Sequence, residues 1–273
     1  MSKHHLTETL FSSLPLDSSL QQALQEHQLQ YCTPIQEKTL PLLLQGRDCA
    51  GQAQTGTGKT LAFLLACMQK LLSDDQHETR PGKPRVLILA PTRELALQIY
   101  KDAEKLVVHN DLKLAICYGG KAYEQQKKQF EQPVDILIGT PGRIIDYFKQ
   151  GVFKLNEVEV AVLDEADRMF DLGFIKDIQD LMRFLPGKRQ TLFFSATIDA
   201  RIKKIAYSLV NNPIRIQISP RDPVARNIEH AVAFIEMEDK RFFLERIIRD
   251  HPDQKILVFV RTRVRAERVK KAL

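Results

Sequence analysis

The stretch Ala53-Gln54-Thr55-Gly56-Thr57-Gly58-Lys59-Thr60 follows a short apolar run and opens a long apolar helical pattern. Few folds accept that arrangement, because it describes a strand, a tight glycine turn and a helix whose first turn points at an anion. Backbone N–H groups of such a loop converge on a phosphate, and the positive end of the following helix reinforces them. Gly56 and Gly58 allow a left-handed backbone and close approach to the ligand. Lys59 is placed to reach the β- and γ-phosphates, and the Thr60 hydroxyl to reach Mg²⁺. The first glycine of the usual G-x-x-x-x-G-K-[ST] pattern is replaced by Ala53, so the match is strong with one departure.

The rest of the chain has the length to support such a site. Its 273 residues suffice for one large or two ordinary domains, and 44% hydrophobic with 27% charged residues describes a globular protein. The first residues carry no apolar signal segment and no run is long enough to span a membrane, which gives an expected cytoplasmic location without membrane association. Cys32, Cys49, Cys67 and Cys117 are too widely spaced for a C-x-x-C pair, so reduced and mostly buried thiols are expected. The net charge of +6 is uneven: residues 1–200 hold 23 basic and 25 acidic residues, and residues 201–273 hold 17 and 9. A basic second part suits a polyanion such as nucleic acid, although a solvated basic helix face gives the same count.

In chain order the pattern predicts helices over 16–28 and from Pro34 to about Gln45, a strand over 47–51, and a helix over 59–72. Short Val-, Ile-, Leu- or Phe-rich strands follow at 86–90, 113–118, 136–139, 160–164 and 191–195. Helical stretches separate them at 93–108, 122–130, 143–149, 175–184 and 200–210. Continuous apolar strands alternating with helices imply an α/β fold, a parallel sheet covered on both faces, with ligands at the carboxyl ends of the strands. A last strand at 214–218 leads to a linker-like Ser219-Pro220-Arg221-Asp222-Pro223, after which strands at 230–235 and 255–260 and helices at 239–249 and 263–273 begin a second α/β domain. The expected organisation is therefore a domain over 1–218, a linker over 219–227 and a partial domain over 228–273.

Asp164-Glu165-Ala166-Asp167 stands directly after the apolar run Val160–Leu163. A buried strand ending in carboxylates puts them beside the phosphate loop, where Asp164 would hold Mg²⁺ and Glu165 would polarise an attacking water. An acidic cluster capping the next helix is the alternative reading of these residues.

With these motifs in view, the chain resembles a DEAD-box RNA helicase: the sequence that names the family stands at Asp164–Asp167. In the expected order also stand Pro91-Thr92-Arg93-Glu94-Leu95-Ala96, Gly119-Gly120, Thr140-Pro141-Gly142-Arg143 and Ser195-Ala196-Thr197, and Ile256–Thr262 resembles the first motif of a second domain. The resemblance implies a RecA-like ATP-binding domain followed by the start of a second one. It implies ATP as substrate, Mg²⁺ as cofactor, RNA as sequence-independent partner, and catalysis by Lys59, Asp164 and Glu165. Thr33-Pro34-Ile35-Gln36 resembles the adenine-reading segment, in which the Gln36 amide selects ATP and Phe11 upstream stacks on the base. Without the resemblance Phe11 reads as a core residue. Where the family usually has Gly-Phe this chain has Gln28-Leu29.

The resemblance further implies that Pro91, Thr92, Arg93, Gly119, Gly120, Thr140, Pro141, Gly142 and Arg143 form the RNA contact, which the residues support by offering arginines and backbone N–H groups just beyond strand ends. Ser195 and Thr197 are implied to couple nucleotide state to domain closure by hydrogen bonds to Asp167. The stretch 171–178 and the N-terminal residues resemble the bacterial RhlB-type branch, which implies a role in RNA turnover with RNA-turnover proteins as partners. The family's γ-phosphate arginines lie in motifs beyond residue 273, so this chain is expected to be truncated within the second domain and to unwind little by itself. Two other functions fit the residues: a P-loop ATPase acting on DNA, and a non-catalytic RNA-binding module controlled by ATP.

Overall fold

The computed structural model describes residues 6–54, 56–74, 79–120, 123–217, 229 and 231–272. The chain divides into two compact units, Met1–Arg221 and Asp222–Leu273. In the first unit, helices α1 (Ser18–Glu26) and α2 (Pro34–Leu43) precede strand β1 (Cys49–Gln52), helix α3 (Lys59–Leu72) and strand β2 (Val86–Leu89). There follow α4 (Arg93–Leu106), β3 (Leu114–Cys117), α5 (Tyr123–Lys127) with a 3-10 turn over Lys128–Glu131, β4 (Ile136–Gly139) and α6 (Pro141–Lys149). The unit continues with β5 (Val160–Leu163), α7 (Ala166–Asp171), α8 (Ile175–Arg183), β6 (Gln190–Ser195), α9 (Ala200–Leu209) and β7 (Ile214–Gln217).

The seven strands form one sheet in the order β3-β4-β2-β5-β6-β1-β7, and every pairing is parallel. Parallel strands require crossovers on the faces, so both faces are dry and the strands read as unbroken apolar runs. Alternate residues feed opposite cores. Val86, Ile88, Ile136, Ile138, Val160, Val162, Leu192 and Phe194 pack against α1, α2, α3 and α4. Leu87, Leu89, Leu137, Ala161, Leu163 and Phe193 pack against α6, α7, α8 and α9.

The four cysteines are free and buried, as their spacing suggested. Burial pushes the Cys32 thiol up to about 11 and the Cys49 thiol up to about 12, so neither is a thiolate at neutral pH. Among the described residues no helix is long and apolar enough to cross a membrane.

All seven strands of the first unit lie where the apolar runs predicted them, although Ile218 falls outside the described residues. Three expectations change. The single helix expected over 122–130 is α5 followed by a 3-10 turn, in which Gln129 turns inward to bond Ile116 of β3 and Gln126 to bond Tyr118 just after it. Helix α7 was not anticipated, since its six residues begin inside the acidic motif. In the second unit, which contains α10 (Lys240–Asp250) and α11 (Arg263–Ala272), the segments 231–235 and 255–260 are not strands. Each lacks a hydrogen-bonded neighbour among the described residues, and two strands with one crossover cannot dry both faces of a sheet. Apolar side chains such as Phe234 and Phe259 accordingly remain exposed there. The linker expected over 219–227 and His230 lie outside the described residues.

Candidate functional site

Parallel pairing brings the carboxyl ends of all seven strands to one edge. The strand order sorts the candidate residues along it. The phosphate loop and Asp164–Asp167 follow β1 and β5, and Ser195–Thr197 starts on the last residue of β6; these three strands are contiguous. Pro91–Arg93, Gly119-Gly120 and Thr140–Arg143 follow β2, β3 and β4, also contiguous.

On the first half, Gly58 takes φ +94° as the residue before α3, and Gly56 takes φ +81°. Ala53 is buried, and its N–H donates to Ser195 O at 3.1 Å, so this amide continues the sheet and does not face the loop interior. Gln54 is exposed, with its carbonyl accepting from Thr57 Oγ1 at 2.7 Å. Thr55 lies outside the described residues. Lys59 and Thr60 open α3. The Lys59 side chain is only 4% exposed, its Nζ has no hydrogen-bond partner among the described residues, and Asp164 Oδ1 stands 3.5 Å away with its side chain 2% exposed. Burial pushes the Asp164 carboxyl above the usual carboxylate range, while Lys59 pulls it down.

Glu165 takes φ +51°, a left-handed conformation that costs a non-glycine residue energy and that clusters at functional sites. It precedes α7, donates its N–H to Asp164 Oδ1 at 3.0 Å and faces Arg168 at 3.7 Å. Asp167, two residues on, accepts at Oδ2 from both the N–H and the hydroxyl of Thr197, each at 2.9 Å. Its own N–H donates to Ser195 Oγ at 3.3 Å, and that hydroxyl donates to Thr197 O at 2.6 Å. Burial raises the Asp167 carboxyl, but the bonds from Thr197 and Ser195 outweigh it and hold the group below its ordinary value.

The turn before α2 touches the loop directly. Gln36 is buried; its Oε1 accepts from Thr33 N–H at 2.8 Å and its Nε2 donates to Gly58 O at 3.0 Å. The amide thus ties a helix N-terminus to the phosphate loop. Phe11 is 2% exposed inside the core with Leu24 and Ile35, so the structure does not present a ring face for base stacking.

On the second half, Thr92 caps α4 by accepting from Leu95 N–H at 3.3 Å, and Pro91 is buried behind it. Thr140 precedes α6, but its N–H donates to Cys117 O at 3.1 Å, one step beyond the β3–β4 ladder, and only its hydroxyl remains as a donor. Gly119, Gly120, Gly142 and Arg93 are exposed, Arg143 half-buried and Pro141 buried. Both arginines rest on aromatic rings, a feature absent from the sequence reading. Arg93 lies 4.9 Å over Tyr118, and Arg143 lies 4.8 Å from Tyr123 and 5.3 Å from Tyr147. Tyr147 Oη donates to Tyr123 O at 2.6 Å and meets Arg143 Nη1 at 3.3 Å. The four-residue spacing of Arg143 and Tyr147 on one helix is the signal that could have revealed this support.

A family model described as DEAD/DEAH box helicase matches residues 33–205, more than half of the chain. The chain belongs to this family. Relatives include an ATP-dependent RNA helicase RhlB of Shewanella amazonensis, 48% identical over 270 residues, covering 98% of this chain and 62% of that protein. The RhlB helicase of Shewanella oneidensis is 48% identical over 266 residues, covering 96% of this chain and 61% of its own length. The chain thus spans under two thirds of these relatives. Among solved structures, a DEAD box protein from the hyperthermophile Methanococcus jannaschii superposes with a TM-score of 0.70 at 30% identity, covering 96% of this chain and 69% of that one. The seven-stranded parallel sheet is therefore the RecA-like α/β fold of a DEAD-box protein. In this DEAD/DEAH box chain the naming motif lies at the end of β5, facing the phosphate loop through the Lys59–Asp164 pair.

Proposed function

We propose that this chain is the nucleotide- and RNA-binding part of an ATP-dependent RNA helicase, hydrolysing ATP in connection with RNA binding and local strand separation. The organisation assigned to it is a first domain over 1–218, a linker over 219–227 and part of a second domain over 228–273. The observation that carries the reading is the Lys59 ammonium: buried, without a hydrogen bond among the described residues, and set at the mouth of a glycine loop. Burying an ammonium without full compensation is costly, and a polyphosphate brought to the loop supplies the missing partner.

In this reading Lys59 binds the β- and γ-phosphates, aided by the N–H groups of the Gly56–Thr60 turn. Gln36 holds Gly58 in place and meets the adenine with its remaining N–H and lone pair. Phe11 supports the base site from within the core. Thr60 and Asp164 offer a hydroxyl and a carboxylate, hard oxygen donors of the kind Mg²⁺ takes together with phosphate and water. The bound ion would neutralise charge on the transferred phosphoryl group. Glu165 orients the attacking water as general base, and the Asp167–Ser195–Thr197 bonds relay the state of this half to the end of β6. Arg93, Arg143 and the backbone amides of the exposed Gly119, Gly120 and Gly142 grip the RNA backbone, from which binding without sequence preference is expected. The likeness to proteins named RNA helicases supports RNA over DNA; a cytoplasmic place in RNA turnover is part of the same proposal.

Steady-state ATP hydrolysis with single-stranded RNA or DNA, beside Glu165→Gln, tests the assignment. Because the chain spans under two thirds of its RhlB relatives, the expected turnover is low, stimulated by RNA and reduced about 10²-fold or more by Glu165→Gln. Equal stimulation by DNA, or turnover indifferent to the substitution, would overturn it.

A further inference from the structure

Strand β3 is the outermost strand of the sheet, so one of its edges has no neighbouring strand to satisfy its backbone groups. Two glutamines fill that role. Gln126 of α5 accepts from Tyr118 N–H at 2.8 Å and donates to Tyr118 O at 3.1 Å, with 2% of the residue exposed. Gln129 bonds Ile116 in the same way, at 3.1 and 3.2 Å. A primary amide pairing with both N–H and C=O of one residue imitates the missing strand.

The two clamps differ in what lies next to them. Ile116 is inside the strand, whereas Tyr118 immediately precedes Gly119-Gly120 and carries the ring on which Arg93 rests. A Cβ on Gly120, which takes φ +82°, would stand 3.7 Å from Arg93 Nη1, so the guanidinium lies beside Gly120 as well as over that ring. A guanidinium on an aromatic face keeps its N–H edge available to an anion.

We propose that Gln126 is a positioning residue for RNA: by holding the Tyr118 backbone at both its N–H and its C=O it fixes the platform that aims Arg93 at the RNA backbone. This rests on the assignment of Arg93 to RNA. Gln129 performs the purely structural version of the same clamp one step further from the site and serves as its control.

The test measures anisotropy of a labelled single-stranded oligouridylate, and separately of a fluorescent ATP analogue, against the chain and four variants: Gln126→Met, Gln129→Met, Arg93→Ala and Gln126→Met with Arg93→Ala. Gln126→Met is expected to weaken RNA binding about three- to tenfold with ATP affinity unchanged, and to add little on the Arg93→Ala background, because coupled residues are not additive. Gln129→Met is expected to leave RNA affinity unchanged. Equal RNA affinity for Gln126→Met and the parent, additivity with Arg93→Ala, or an equal loss in Gln129→Met would overturn the inference. If Gln126→Met does not fold, Gln126→Glu, which keeps an acceptor for the Tyr118 N–H but loses the donor to Tyr118 O, carries the test and must weaken RNA binding with ATP affinity unchanged. A parent chain that binds no RNA would remove the RNA assignment and this inference with it. A loss with Arg93→Ala but none with Gln126→Met would remove the inference alone.

Discussion

Gly58 shows how tightly single residues are specified at the phosphate loop. Its backbone is left-handed, and a Cβ there would collide with the Gln36 amide and stand 2.9 Å from Thr33 Oγ1. Gly58→Ala is therefore expected to cost about 1–2 kcal/mol from the backbone alone and to weaken ATP binding further by breaking the Gln36 contact, as read by calorimetric titration. Asp167 makes a prediction with a sign. Its folded carboxyl is held below the ordinary value by Thr197 and Ser195, so the stability it contributes is present above the unfolded carboxylate value, about 3.9, and is lost as pH falls through the folded one. Asp167→Asn should lower the melting temperature at neutral pH, and the gap to the parent chain should close below about pH 4. A gap that persists unchanged into acid would contradict the hydrogen-bonded role. The sequence pointed to Asp167, Ser195 and Thr197 as a group. For Phe11 it offered both a stacking and a core reading, and it could not show that the Ala53 and Thr140 amides are spent on the sheet, because those facts depend on neighbours far along the chain.

At the level of elements, β1 and β6 illustrate how the strands carry the site. Gly51 pairs in register with Phe194, and a Cβ on Gly51 would lie 2.7 Å from the Phe194 ring, which packs 5.8 Å from Phe63 of α3. The glycine makes room for the ring, and the ring anchors the helix that begins at Lys59. Gly51→Ala should destabilise the fold by about 1–3 kcal/mol through overpacking, and Phe194→Leu added to it should recover part of the loss. A melting temperature unchanged by Gly51→Ala would refute this packing account. Strand positions were legible because apolar runs in a doubly covered sheet are continuous and bounded by polar loops. Helix α7 was not, since its first turn is the acidic motif itself, and the inward glutamines of α5 and the 3-10 turn after it look in sequence like an ordinary polar helix face. The strands expected at 230–235 and 255–260 had the right composition but no ladder partner, and composition alone cannot supply one.

Over the whole molecule, the strand order divides one edge into two contiguous halves, β5, β6 and β1 against β3, β4 and β2, to which the proposed function gives the nucleotide and the RNA respectively. β2 and β5 are neighbours in the middle, so the two halves meet between Leu89 and Leu163, the last residues of those strands. This division followed only from the order of the strands, which the sequence does not reveal. The most direct test is peptide-resolved hydrogen exchange with Mg²⁺ and ATP added in one experiment and single-stranded RNA in another. ATP should slow exchange at 53–60 and 164–167, and RNA at 91–95, 119–120 and 140–143. Protection of the same half by both ligands, or protection by ATP that leaves the phosphate loop untouched, would contradict the account.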